Sequence, residues 1–249
     1  MQARETEGAD DIAGGQISSN PQKNPPSQQQ VSGLLLPKRP SLKPAGERAV
    51  RELILKMFMS LDGFVASADG NPGVLMPPPD PAGKAWNVER AWDTSLHIVG
   101  ANTFRGWAGY WPIAADAFAA PMNQIPKAVF SKNGPAILEA GKLDKHKPEA
   151  LQPGAESWAK AYVASGDLVE EINTLKAQDG KPMFAYGGAA FARSLITHNL
   201  VDQFEFAIIP MVLGKGLAIF DGVARPRRLT LASSKAFPMG TIVNTYRPA

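Results

Sequence analysis

Apolar positions follow two rhythms that alternate along the chain from residue 53 onward. Residues 53–59, apolar except for Lys56, predict a buried strand that runs into Ser60-Leu61-Asp62-Gly63, where a glycine lets the backbone turn. Residues 96–99, 127–130 and 182–186 predict further short strands. Between them lie helical spacings. Residues 85–94 place Trp86, Val88, Ala91 and Trp92 on one side, and a helix opens near Asn102-Thr103. Residues 167–177 carry Leu168, Val169, Ile172 and Leu175 on one face behind Asp167 as N-cap, and residues 189–197 continue from a glycine pair. Residues 69–83 are rich in proline and glycine without a period, which predicts a long loop. Strands separated by helices predict a parallel sheet covered on both faces. The C-terminal part changes character: residues 204–210, 228–237 and 241–246 predict longer strands, the last two joined at Pro238-Met239-Gly240. The expected architecture is α/β, a mostly parallel sheet with an antiparallel C-terminal edge.

Composition narrows this picture at the ends and in the chemistry. Residues 1–50 hold six prolines, six glutamines and no aromatic side chain, too little apolar surface to offset ordering entropy, and are expected to be a disordered extension. The folded domain is expected over residues 51–249. No cysteine occurs among the 249 residues, which excludes disulfides, thiolate metal sites and a cysteine nucleophile. Net charge is only +3, with no interleaved basic and aromatic stripe, so no nucleic acid partner is expected. No apolar run approaches a membrane span, and no signal-peptide core precedes the domain, which makes a cytoplasmic protein without a membrane partner the expectation. His97, His146 and His198 lack metal-ligand spacing, and no G-x-S-x-G elbow occurs, so no metal and no serine-hydrolase site are expected.

Candidate chemistry gathers at strand ends, where open α/β sheets bind ligands. Tyr186-Gly187-Gly188-Ala189 joins an apolar strand to a helix. The glycines either admit a phosphate to the helix N-terminus or only make a tight turn, and the segment alone supports both readings equally. Gly100-Ala101-Asn102-Thr103 offers a second helix start, and Ser131-Lys132 a hydroxyl and a cation, though a solvated surface lysine is the commoner fate. Asp62 is the first candidate for substrate contact and Glu89 a distant second. By itself Asp-Gly is better explained as an ordinary turn dipeptide, and Glu89 with Asp93 as a solvated helix face.

Taken together, Met59-Ser60-Leu61-Asp62-Gly63-Phe64-Val65-Ala66, Val99-Gly100-Ala101-Asn102-Thr103-Phe104, Lys127-Ala128-Val129-Phe130-Ser131-Lys132, Tyr186-Gly187-Gly188-Ala189, and Leu200-Val201-Asp202 with Ile209-Pro210-Met211-Val212-Leu213-Gly214-Lys215-Gly216 and Phe220 resemble the dihydrofolate-reductase-like family, RibD C-terminal domain type. The resemblance spans residues 53–248. It implies a three-layer α/β/α domain and an oxidoreductase that uses NADPH to reduce a small pyrimidine or pterin. On the matched positions, Gly187, Gly188 and Ala189 would hold the cofactor pyrophosphate, and Gly100 and Thr103 would sit at the second helix end. Ser131 and Lys132 would meet the adenosine ribose and its 2′-phosphate. Ser60, Asp62 and Gly63 would line the substrate cleft, with Asp62 as the catalytic candidate. Where the family often has Gly-Arg-x-Thr, this chain has Ala101, so an arginine for the 2′-phosphate is missing. No zinc deaminase half is attached, so a stand-alone reductase fits better than the bifunctional riboflavin enzyme. A homodimer is expected through the apolar strand at residues 204–211. Two further readings compete: a nucleotide-binding module without turnover, and an interaction protein acting through the N-terminal arm.

Overall fold

A computed structural model describes residues 50–77 and 79–249. The expected extension over residues 1–50 therefore lies, but for Val50, outside the described residues. Eight strands form one sheet: β1 (Leu53–Ser60), β2 (Leu96–Gly100), β3 (Lys127–Phe130), β4 (Tyr162–Ala164), β5 (Met183–Tyr186), β6 (Gln203–Ile209), β7 (Leu229–Ala236) and β8 (Ile242–Pro248). Their order is β4-β3-β2-β5-β1-β6-β8-β7. Every pairing from β4 to β6 is parallel, and only β8 with its two neighbours runs antiparallel.

Five α-helices connect the strands: α1 (Pro81–Trp92), α2 (Ala101–Tyr110), α3 (Ala119–Gln124), α4 (Leu168–Lys176) and α5 (Ala189–Thr197). Alternation along the central strands splits the core in two. Leu53, Leu55, Met57 and Met59 of β1 pack with Ile172 and Leu175 of α4 and Ala192, Leu195 and Ile196 of α5. On the other face Ile54, Val99, Val129 and Phe184 meet Phe104 and Ala108 of α2, Met122 of α3 and Trp158. The result is the expected three-layer α/β/α arrangement with an antiparallel edge.

Two sequence expectations are corrected. The long loop at residues 69–83 is shorter: Pro72–Leu75 forms a 3-10 turn, and α1 starts at Pro81, four residues before the expected start at Ala85. Asp80 is the reason. Its carboxylate accepts from Ala82 and Gly83 N, and Pro81 supplies the first helical φ without losing a bonded N–H. The apolar strand expected to form the sheet edge, β6, is interior, because β8 pairs with it and β7 lies outside both.

Candidate functional site

Parallel strands deliver their carboxyl ends to one edge, and there the order β3-β2-β5-β1 sets Ser131-Lys132, Gly100–Thr103, Gly187–Ala189 and Ser60–Gly63 in sequence along the sheet. Helix α2 opens directly on β2 with Gly100 as N-cap, and α5 opens on β5 with Gly188 as N-cap. Neither cap has a side chain to bond the first-turn amides, so both helix ends keep donors free for an anion. The two ends are neighbours: a Cβ on Gly188 would lie 3.6 Å from Thr103 Oγ1.

The three glycines answer to different constraints. A Cβ on Gly187 would come within 2.7 Å of Met57 Sδ, and one on Gly100 within 3.1 Å of Phe191 Cβ, so these two let α5 close on the sheet. Gly188 meets nothing nearer than ordinary contact. Packing leaves it free, and its bareness keeps the surface between the helix ends open.

Ser131 and Lys132 divide their work. Ser131 is buried; its N–H donates to Ala164 O at 3.0 Å and its Oγ accepts from Asn133 N at 3.2 Å, which fixes the turn after β3. Lys132 follows, exposed. At Ala101, where a cation is missing, α2 carries Arg105 one turn on, exposed and donating to Asn102 Oδ1 at 3.0 Å.

Ser60 to Gly63 form a closed turn. Ser60 N donates to Phe64 O at 2.8 Å, Ser60 Oγ accepts from Phe64 N at 2.9 Å, and Gly63 takes φ +90°, a backbone conformation that favours glycine. Ser60 is 1% exposed, its hydroxyl spent within the turn. Asp62 is exposed, but its carboxylate accepts from Leu213 N at 3.1 Å and Gly214 N at 2.7 Å. The Ser60 hydroxyl and then those amides hold its pKa below the ordinary aspartate value. Asp62 thus clasps the segment after β6. The same seam includes Leu61 N to Met211 O, Val65 N to Leu217 O and Leu217 N to Ala66 O, and a Cβ on Gly216 would strike Ala66 O at 2.3 Å. Sequence reasoning listed both segments but not their joining; the closely spaced Gly214 and Gly216 were the available signal.

Helix α1 lies against β1 and β6 through Trp86 and Arg90. On that face the Lys56 side chain is only 10% exposed and Phe58 and Ala207 are half-buried, whereas Leu55, Met57 and Met59 on the opposite face are buried. Helix α1 overhangs with Trp86, whose ring centroid is 4.9 Å from Lys56 Nζ; Phe184 lies 5.2 Å from the same atom. Lys56 is ion-paired to Glu205 Oε1, and Arg90 Nε donates to Glu205 Oε2 at 2.9 Å. Burial lowers the pKa of Lys56 although Glu205 opposes it. Sequence reasoning missed this trio, since the three residues are far apart in the chain and only Lys56 interrupted an apolar run. Glu89 faces outward and is exposed. Among the described residues no group of His, Asp and Glu is placed to hold a metal, and no helix is long and apolar enough to cross a membrane.

Comparison with known proteins agrees with this geometry. The family model described as the RibD C-terminal domain matches residues 51–243. The uncharacterized protein YyaP of Bacillus subtilis is 28% identical over 196 residues, covering 79% of this chain and 94% of that protein. Among solved structures, a pyrimidine reductase-like protein of Corynebacterium diphtheriae superposes with a TM-score of 0.53 at 17% identity, over 80% of this chain and 92% of that one. The riboflavin biosynthesis reductase Rib7 of Saccharomyces gives 0.51 at 14% identity, over 82% and 93%. At these identities the structures share the fold.

Proposed function

The chain belongs to the RibD C-terminal domain family, and from that premise we propose that it is an NADPH-dependent reductase of a small pyrimidine- or pterin-like ring. The observation that carries the reading is the pair of uncapped helix ends, α2 and α5, meeting at Gly188 and Thr103 on the carboxyl edge. Two adjacent sets of free amides suit a pyrophosphate. Gly188 and Ala189 would hold it from one side and Gly100 and Thr103 from the other. Ser131 would shape the turn that carries Lys132 to the 2′-phosphate. A bound dinucleotide would supply a hydride to the ring, whose reduction a solvent proton would complete.

The chain's own part is placement. The turn at Ser60 to Gly63, tied through Asp62 to Leu213 and Gly214, fixes the end of β1. Asp62 is therefore a positioning residue in this reading.

Fluorescence titration with NADPH and NADH tests the proposal, using Gly188→Asp as the variant. Gly188 has room for a Cβ, so a carboxylate there repels pyrophosphate without disturbing the core. NADPH binding by the wild type that falls at least about tenfold in the variant supports the reading; equal binding by both, or none by the wild type, removes it.

A further inference from the structure

The amino edge of the sheet carries a cavity remote from the strand ends just described. Strands β2, β3 and β4 begin there at Leu96, Lys127 and Tyr162, opposite the edge on which α2 and α5 open. The cavity has a volume of about 430 Å³, with Lys127 in its lining. Lys127 is 2% exposed, yet among the described residues no carboxylate forms an ion pair with it. Its three N–H groups go to neutral oxygens, Ile125 O and Ser157 Oγ at 2.6 Å and Asn123 O at 3.2 Å. The Trp158 ring, 4.8 Å from Nζ, is neutral as well. The ammonium is thus held in place with its charge uncompensated, which burial makes costly. That burial brings its pKa down to about 7, with Glu156 opposing the shift. Charges facing Lys127 are few. His97 stands across from it on β2, and burial keeps that ring uncharged at neutral pH. Tyr162 on β4 donates its hydroxyl to Glu171 Oε2 at 2.6 Å, and α4 with the turn after it brings the uncharged Leu175 and Gln178. The remaining charged lining residues are Glu156 and Lys160, both exposed.

We propose that this cavity is a second ligand site, taking a small monocarboxylate whose charged end pairs with the Lys127 ammonium and whose apolar body lies against Leu96, Pro126 and Leu175. The hydrogen-bond inventory leaves room for that pair. Asn123 O also accepts from Ser157 Oγ, so the long bond from Lys127 can be given up without orphaning the carbonyl. An incoming carboxylate then exchanges a neutral partner for a charged one, and charge-assisted bonds are the stronger kind. Two ammoniums against Glu156 balance one negative charge, which favours a monoanion over a phosphate dianion. The volume lies within the roughly 300–1,000 Å³ of small-molecule sites. A carboxylic acid is ionised throughout the neutral range, so the pH dependence belongs to Lys127. Above its pKa of about 7 the empty site gives up the proton that binding must restore, and affinity falls by up to about tenfold per pH unit. The site lies on the other edge of the sheet from the dinucleotide reading and stands or falls without it.

Benzoate and benzamide share a shape and differ in charge, which makes them the probes. Each is titrated by calorimetry into the full chain, without dinucleotide and at low salt, at pH 6.5 and 8.5. Lys127→Met and Lys160→Glu are run alongside, and the fold of each variant is checked by thermal melting. The expected result is binding of benzoate in preference to benzamide, weakened roughly 10- to 30-fold from pH 6.5 to 8.5 in the wild type. Lys127→Met is expected to lose at least about tenfold in benzoate affinity and Lys160→Glu about threefold or more. Lys160 is exposed, so its variant still locates the site if Lys127→Met does not fold. Benzamide bound as well as benzoate, no benzoate binding at millimolar concentration, or an affinity unchanged between the two pH values overturns the inference. Benzoate affinity unmoved in a folded Lys127→Met protein, or unmoved in Lys160→Glu, overturns it too.

Discussion

His97 is the residue whose setting most sharply departs from solution chemistry. It is fully buried on β2, with the Tyr186 ring 5.1 Å away, and neither ring nitrogen has a hydrogen-bond partner among the described residues. Burial first, then the charges of Lys127 and Lys56, push its pKa well below the ordinary 6.5. Below that ordinary value the unfolded chain takes up a proton that the folded one excludes. Stability therefore falls as pH drops through and below 6.5, with a limiting slope of about 1.4 kcal/mol per pH unit for one proton. His97→Phe removes the protonation and two unpaired polar atoms together. Urea denaturation at neutral and mildly acid pH is expected to show a smaller acid loss in the variant; an unchanged loss assigns it to other groups. Asp62 teaches the opposite lesson about reading residues. Its place in an Asp-Gly turn was evident, yet whether its carboxylate stood free or was consumed depended on Leu213 and Gly214, about 150 residues away along the chain.

Elements were legible where they carried their own signals. Asp167 caps α4 by accepting from Val169 and Glu170 N, and α5 covers Ala189–Thr197, both as the sequence predicts. The three-residue strand β4 and the six-residue helix α3 escaped notice because neither is long enough to show a period. Helix and turn glycines separate the two ways a backbone uses that residue. Gly106 lies within α2, with nothing within 4 Å of a Cβ built there, so Gly106→Ala is expected to stabilise by about 0.5–1 kcal/mol. Gly141 would drive its Cβ to 2.5 Å from Trp158 O, and Gly141→Ala is expected to cost about 1–3 kcal/mol. Thermal melting of the pair checks both signs, and a destabilised Gly106→Ala would mean that α2 needs the bare backbone for a contact of another kind.

At the scale of the molecule, the sheet ends on β7, all eight of whose residues are exposed, with Leu229, Leu231 and Ile242 of β8 offering apolar side chains. An edge of this length, uncovered among the described residues, is a template for pairing, and we propose that a second copy covers it. Light scattering should give twice the chain mass for the wild type and a monomer for Leu231→Lys; a monomeric wild type removes the dimer. The sequence by itself determined the α/β class, the four short strands separated by helices and the strand ends where ligands gather, because hydrophobic period, glycine and caps are local and are written residue by residue. Only the tertiary structure decided the rest. Helix ends α2 and α5 came to lie side by side because β2 and β5 pair. Asp62 became a clasp because the segments after β1 and β6 are laced together. Lys56, Arg90 and Glu205 became a buried charged cluster because β1 pairs with β6 in the register that sets Lys56 opposite Glu205. Those outcomes depend on which strands become neighbours and in what register, a property of the whole chain that no short window of sequence contains.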